Sequence, residues 1–203
     1  MDYLYAVVLF AISSSITPGP NNIMVMTSGL NFGVRRSLPL LAGICVGFAI
    51  MLLLVGLGFG QLFSLWPDLH LLIKVIGTLY LLYLAWLIAR SAGMATSKEQ
   101  QQPLSFIKGA LFQWVNAKAW VVATGAIAAF TTVGASFYSQ NLTIALTFFI
   151  VSFPSVGVWM LFGSLLKRWL QHGKARQWFN YTMALLLVIS VLPVVTELLT
   201  QLG

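Results

Sequence analysis

Residues 13–22 read Ser13-Ser14-Ser15-Ile16-Thr17-Pro18-Gly19-Pro20-Asn21-Asn22. This polar decapeptide separates an apolar run at residues 4–12 from a shorter one at residues 23–26. Neither run reaches the roughly 20 residues that a membrane-spanning helix needs, but the two runs and the insert together do. We therefore predict a membrane span at residues 3–28 that is interrupted near its middle.

The two prolines of this stretch predict a break in the backbone. Pro18 and Pro20 have no N–H group, so an α-helix continued through them would leave the carbonyls of Ser14 and Ile16 unpaired. Lipid has no donors for such carbonyls, so they must face protein or a water-filled cavity. Pro20 also suits the first position of a helix. We expect that helix to direct its free N–H groups into the cavity, where they favour a carboxylate.

A second polar break is expected at residues 114–120, which read Trp114-Val115-Asn116-Ala117-Lys118-Ala119-Trp120. A lysine at the centre of a membrane helix costs roughly 3 kcal/mol on insertion scales, and such residues are functional candidates. We interpret the two breaks as halves of one substrate site. Two structural alternatives remain open at this point: a simple proline kink repaired by the serines, and a Lys118 that extends to the cytoplasmic interface.

The composition places the chain in the membrane. Of its 203 residues, 59% are hydrophobic and 7% are charged, whereas soluble domains carry about 25% charged residues. We predict an all-α integral membrane protein with six spans, at residues 3–28, 38–60, 69–89, 106–131, 142–166 and 178–200. The net charge of +7 comes from basic residues that lie between the apolar runs. The expected partner is therefore the lipid bilayer and not a nucleic acid.

The basic residues also predict the orientation. They are Arg35 and Arg36 in the first loop, Arg90, Lys98 and Lys108 around the third, and Lys167, Arg168, Lys174 and Arg176 around the fifth. The positive-inside rule then places these loops in the cytoplasm and both termini outside.

We expect one transporter domain over residues 1–203, made of a first repeat (1–90), a cytoplasmic linker (91–104) and a second repeat (105–203). Three spans in each half require that the halves enter the membrane from opposite faces, so the repeats are inverted. The breaks then fall in helices one and four, which correspond to each other. Paired interruptions of this kind indicate a transporter's binding site near the membrane midplane.

The residues of the two breaks are the predicted site. We expect the ammonium of Lys118, oriented by Asn116, to bind the substrate carboxylate, or an internal acceptor when the site is empty. The freed carbonyls and nearby side chains would accept hydrogen bonds from the substrate ammonium. Because burial disfavours a charged amine and no Asp or Glu falls within a predicted span, Lys118 is also the candidate for proton coupling. The predicted substrate-binding residues are Thr17, Pro18, Gly19, Pro20, Asn21, Asn22, Asn116 and Lys118.

Other functional classes fit the sequence less well. We expect no enzyme, cofactor or resident metal. Cys45 is the only cysteine, so the chain cannot cycle through an internal disulfide. His70 and His172 lie far from it in sequence, and no histidine or carboxylate lies deep enough to activate the serines of the first break. A membrane scaffold or sensor subunit that transports nothing is the alternative from another class.

The first break resembles that of the lysine exporter and homoserine/threonine resistance family of small amino-acid exporters. The resemblance runs through almost the whole chain, in Thr17-Pro18-Gly19-Pro20-Asn21-Asn22, Gly33-Val34-Arg35-Arg36, residues 41–48, residues 77–86 and Asn116-Ala117-Lys118-Ala119. It implies export of small amino acids across the bacterial inner membrane, with protons as the counter-ion. A homo-oligomer and a metal-cation exporter of the same superfamily remain open.

Position 117 departs from the family pattern. Most members have proline between the asparagine and the lysine of the second motif, whereas this chain has Ala117. We therefore expect a less sharp break there. Together with the doubled Asn21-Asn22, this feature most resembles the branch that exports cysteine and O-acetylserine.

Overall fold

The computed structural model describes residues 2–58, 65, 67–90, 102–170 and 173–202. In these ranges the chain forms eight α-helices and one 3₁₀ turn, with no strand. The helices are α1 (Asp2–Ile16), α2 (Pro20–Phe32), α3 (Val34–Gly56), α4 (Pro67–Arg90), α5 (Phe106–Phe112), α6 (Ala117–Phe130), α7 (Phe137–Trp169) and α8 (Gly173–Leu202), and the 3₁₀ turn is Gln113–Val115.

Some sequence predictions fall outside the described residues. These are most of the linker (91–101, with Lys98), His172, and residues 59 and 60 at the end of the second predicted span. The prediction of an all-helical chain is confirmed within the described ranges.

Three segments of the described chain are long and apolar enough to cross a membrane. Val34–Gly56 and Phe137–Lys167 qualify alone, and α1 with α2 qualifies as one span bent by 59°. Val75–Arg90 and Ala117–Phe130 are apolar but shorter. Membrane-spanning helices are thus confirmed, while six spans in two inverted repeats stay a prediction.

The first break forms where the prolines predict it. α1 ends at Ile16, Gly19 is extended (φ −175°, ψ −179°), and α2 begins with Pro20 at its first position. Before the break, the hydroxyls of Ser13 and Ser14 donate to the Phe10 carbonyl at 3.1 and 2.7 Å. These serines are therefore paired inside α1 even though they lie close to the break.

The second break forms without a proline. α5 ends at Phe112 and passes into the 3₁₀ turn, after which Asn116 is extended (φ −90°, ψ 104°). The Asn116 side chain accepts a hydrogen bond from the Lys118 backbone N–H at 3.2 Å and so caps α6. Ala117 is the first residue of α6, and an asparagine cap marks the break at the place where most members of the resembled family have a proline.

Glycines let the broken segments approach the unbroken helices. A Cβ at Gly29 would lie 2.2 Å from the Met160 carbonyl oxygen, and one at Gly163 would lie 2.0 Å from that of Met26. α2 and α7 therefore meet backbone to backbone. The same reciprocal contact joins α3 to α5, where a Cβ at Gly43 would lie 2.0 Å from the Phe106 carbonyl oxygen. Small residues commonly permit this close approach between membrane helices.

Two apolar cores lie on either side of the breaks. The N-terminal part of α3 contributes Leu40 and Ile44 to one core, together with α2, α4 and α8. Its C-terminal part contributes Met51 and Leu52 to the other, together with α1 and α6. The breaks thus lie where the packing changes from one core to the other.

We predict that Gly43→Ala lowers the thermal unfolding temperature of the detergent-solubilised protein. The added methyl group meets the Phe106 backbone, which cannot move aside as a flexible side chain would, and overpacking of this kind costs about 1–3 kcal/mol. Gly125→Ala is the matched control, because nothing lies within 4 Å of a Cβ at that position. Equal unfolding temperatures for the two variants would contradict the close contact of α3 and α5.

Candidate functional site

A cavity lies at the two breaks, where about 460 Å³ of space, part of it open to the surroundings, is not filled by protein atoms. Its lining comes from the end of α1, the beginnings of α2 and α6, and one side of α3 and of α7. The lining residues are Ser14, Ser15, Gly19, Asn21, Asn22, Ile44, Cys45, Phe48, Asn116, Lys118, Ala119, Val122, Phe148, Ser152 and Val156. Both breaks therefore open into one shared space.

Five of the eight predicted site residues line this cavity, namely Gly19, Asn21, Asn22, Asn116 and Lys118. The other three, Thr17, Pro18 and Pro20, are not among the lining residues. Pro20 is buried, whereas Thr17 and Pro18 are exposed. Thr17 still takes part through its backbone carbonyl, described next.

Lys118 joins the second break to the first. Its Nζ donates a hydrogen bond to the Thr17 carbonyl oxygen at 2.7 Å. Gly19 makes room for this side chain, since a Cβ there would lie 3.0 Å from the lysine Cδ and 3.2 Å from Nζ. The described lining residues include no Asp or Glu, so an ammonium here is held by a neutral carbonyl and is not neutralised within the cavity.

Asn22 pairs with three carbonyls at the end of α1, and one of them, that of Ile16, has lost its helical partner to Pro20. Its Nδ2 lies 3.1 Å from the Ser15 oxygen, 3.4 Å from that of Ile16 and 2.9 Å from that of Thr17. Trp159 on α7 adds an indole donor, 3.0 Å from the Ile16 oxygen. The Ile16 carbonyl, which we expected to be available to a ligand, therefore already has protein partners.

Asn21 and Gln113 form a reciprocal amide pair between the two breaks. Asn21 Nδ2 donates to Gln113 Oε1 at 2.9 Å, and Gln113 Nε2 donates back to Asn21 Oδ1 at 3.0 Å. Gln113 also donates to the Gly109 carbonyl at 3.0 Å and is fully buried. Sequence reasoning did not count Gln113 among the site residues. Its signal was a glutamine within an apolar stretch, directly before the second break.

The wall on α7 adds a hydroxyl that the sequence did not indicate. Ser152 Oγ lies 3.3 Å from Ser15 Oγ across the α1–α7 contact, and both residues line the cavity. No local pattern singles out one serine within the long apolar helix α7. The cavity thus combines one ammonium, several amide groups, a pair of hydroxyls and an apolar wall that includes Ile44, Phe48 and Phe148.

This arrangement can hold a small molecule that carries both charges. A carboxylate can bind the Lys118 ammonium, whose neighbourhood also contains the N-terminal ends of α2 and α6. Helix N-termini carry partial positive charge and favour anions. The serine hydroxyl oxygens can accept from an ammonium group, and the apolar wall suits a short side chain.

The family model and the individual relatives that match this chain indicate the same family. The model of the LysE type translocator family matches residues 12–196 of the chain. A cysteine/O-acetylserine efflux protein of Klebsiella pneumoniae is 32% identical over 195 residues, which cover 95% of this chain and 96% of that protein. Two proteins of the same name are similar: that of Salmonella paratyphi A is 34% identical over 182 residues, and that of Escherichia coli strain K12 is 32% identical over 184 residues. Each match includes 88% of this chain and 90% of the relative. No solved structure matches the chain significantly.

We predict that Asn22→Asp destabilises the protein by about 3 kcal/mol, because it removes the donor that faces three carbonyl oxygens and substitutes a buried acceptor. The measurement is the thermal unfolding temperature in detergent. Gln140→Glu is the matched control, since its side-chain oxygen accepts from Thr132 at an exposed position and still can after the change. An Asn22→Asp protein as stable as this control would contradict the assigned role of Asn22.

Proposed function

Because this chain belongs to the LysE type translocator family, we propose that it exports cysteine, O-acetylserine or a similar small neutral amino acid across the bacterial inner membrane. Its relatives are efflux proteins, and a member of this family is a transporter and not an enzyme. The substrate and the direction of transport are our proposal, and they rest on the names of those relatives together with the chemistry of the cavity.

One contact carries the proposal: the hydrogen bond from Lys118 Nζ to the Thr17 carbonyl. An ammonium held only by a neutral carbonyl can exchange that partner for a substrate carboxylate, which makes a stronger, charge-assisted bond. The substrate then takes the place of an internal link between the two breaks. Gly19 keeps the space beside the ammonium open, and Asn116 holds the start of α6 in position.

The composition of the cavity favours a neutral substrate side chain. The lining residues in the described part of the chain include one cation, Lys118, and no carboxylate. A lysine-like substrate would therefore bring a second ammonium without a charged partner. Ser15 and Ser152 offer hydroxyls to a polar side chain, and Phe48 and Phe148 limit its length.

We propose six spans arranged as two inverted halves, with loops one, three and five in the cytoplasm. The helix contacts support equivalent halves, because each broken helix packs on the second helix of the other half. α1 and α2 contact α7, and α5 and α6 contact α3. The third helices of the two halves, α4 and α8, contact each other. Packing of each broken helix on the other half is expected when two equivalent repeats enclose a site between them.

We also propose that Lys118 takes up the proton that drives export. Among the described residues that line the cavity, the ionisable ones are Lys118 and Cys45. In this cycle Lys118 releases its proton to the cytoplasm while the substrate is held, and a proton taken up from outside as the substrate leaves restores the ammonium, which again bonds to the Thr17 carbonyl. The other acidic and basic groups of the sequence lie in predicted loops or near helix ends.

We predict that Lys118→Gln reduces export of labelled O-acetylserine from proteoliposomes by roughly tenfold to a hundredfold, the range expected for loss of a hydrogen bond to a charged group. Lys167→Gln, which changes an exposed residue near the end of α7, should retain wild-type rates. Wild-type rates in Lys118→Gln would eliminate the proposed role of this lysine.

We predict that a pH gradient, acidic on the outer side, accelerates export by the wild-type protein. The residual flux of Lys118→Gln should not respond, because the variant lacks the group that takes up the proton. The assay compares vesicles with and without the gradient at equal substrate concentration. A full response in Lys118→Gln would show that the proton uses another path.

A further inference from the structure

A second, larger cavity lies further along α2, where about 820 Å³ of space, part of it open to the surroundings, is not filled by protein atoms. It is formed by the C-terminal parts of α2 and α4 and by the segment that leads into α5. Its lining residues are Met24, Thr27, Ser28, Asn31, Phe32, Tyr83, Leu84, Leu87, Ile88, Gln102, Leu104 and Lys108. None of the predicted site residues is among them, and we call it the entry cavity.

Thr27 is the unusual residue of the entry cavity. Its side chain is 4% exposed, and its hydroxyl has no hydrogen-bond partner within the described structure. A buried hydroxyl without a partner is costly and needs an explanation. Its neighbour Ser28 is fully engaged, with its hydroxyl 2.7 Å from that of Ser37. Of these two neighbouring hydroxyls, that of Thr27 is therefore the one without a partner, and Thr27 lines the cavity.

The charges around the entry cavity favour a ligand with a carboxylate. Lys108 lines it with an exposed side chain, and the described lining residues include no Asp or Glu. Asn31 forms another part of the wall and accepts from Arg176 Nε at 2.8 Å, so a second cation lies directly behind it. Leu84 and Leu87 supply an apolar surface for a short side chain.

The entry cavity adjoins the cavity at the breaks along one face of α2. Asn21 lines the first cavity and Met24 lines the entry cavity, and residues three apart on a helix are neighbours on the same face. The paired amides of Asn21 and Gln113 lie at this junction. From Asn21 to Asn31 the helix rises by about 15 Å, so the linings of the two cavities follow each other along α2.

We propose that the entry cavity is a second binding site, which receives a zwitterionic amino acid from the cytoplasm before it reaches Lys118. The ligand carboxylate binds the Lys108 ammonium, and its own ammonium donates to the Thr27 hydroxyl oxygen, which is enclosed in this structure and is brought to the cavity by rotation of the side chain. The inference rests on the proposed export function and on the orientation given by the basic residues. The proposed transporter then has a second ligand site, on the cytoplasmic side, where the substrate is produced.

The first test measures transport into everted vesicles, whose cytoplasmic face is outward, over a range of O-acetylserine concentrations. Thr27→Val and Lys108→Gln should each raise the apparent KM roughly tenfold with little change in maximal rate. Thr143→Val is the matched control, because its exposed hydroxyl bonds within α7 to the Ser139 carbonyl. Thr27→Val should not lower the unfolding temperature, since the buried hydroxyl it removes makes no bond in the protein.

A second test detects binding without transport. In Leu87→Cys, a charged, membrane-impermeant thiol reagent applied from the cytoplasmic face should modify residue 87, and saturating O-acetylserine should slow the reaction. Peptide mass spectrometry separates this label from any at Cys45. An unchanged KM in Thr27→Val together with unprotected residue 87 would overturn the entry site. Protection of residue 87 in a protein that exports no amino acid would instead overturn the proposed function and retain the site.

Discussion

The fold and the site both depend on the carbonyl groups that end α1. The prolines remove the N–H partners of the Ser14 and Ile16 carbonyls, the break separates the Ser15 and Thr17 carbonyls from their helical partners, and lipid supplies no replacement. The protein supplies donors from three separate places: Asn22 at the start of α2, Trp159 on α7 and Lys118 on α6. Each donor brings its helix to the end of α1. The requirement to pair a few backbone oxygens thus assembles helices that are distant in sequence around one cavity.

These donors differ in what a ligand can do to them. Asn22 and Trp159 hold their carbonyls by hydrogen bonds between neutral groups, which gain less than an ammonium does when a carboxylate replaces the carbonyl. The bond from Lys118 is different, because a carboxylate is a better partner for an ammonium than a neutral carbonyl is. One member of the set is therefore exchangeable while the others preserve the structure. The reciprocal amides of Asn21 and Gln113 join the breaks at a second point, where the two cavities along α2 adjoin.

Local chemistry made part of this arrangement predictable. The prolines predicted the first break and the start of α2 at Pro20, and the lysine in an apolar stretch drew attention to the second break. The partners were not predictable, because Trp159 lies 143 residues from the carbonyl that it meets and no pattern in α7 marks it. Gln113 carried a signal as a glutamine in an apolar stretch, but its partner was not predictable, since only the packing of α5 brings it to Asn21. The entry cavity depends on how α4 is placed relative to α2, since both line it, and hydropathy alone does not indicate that placement.

The most direct measurement of the central claim is the distance between the Lys118 side-chain nitrogen and the Thr17 carbonyl carbon in the membrane. Solid-state NMR can report it through the dipolar coupling of ¹⁵N at Lys118 Nζ to ¹³C at the Thr17 carbonyl in reconstituted protein. The 2.7 Å hydrogen bond predicts a strong coupling without substrate and a clear loss of that coupling at saturating O-acetylserine. No coupling in the substrate-free protein, or an unchanged coupling in the saturated one, would contradict the account.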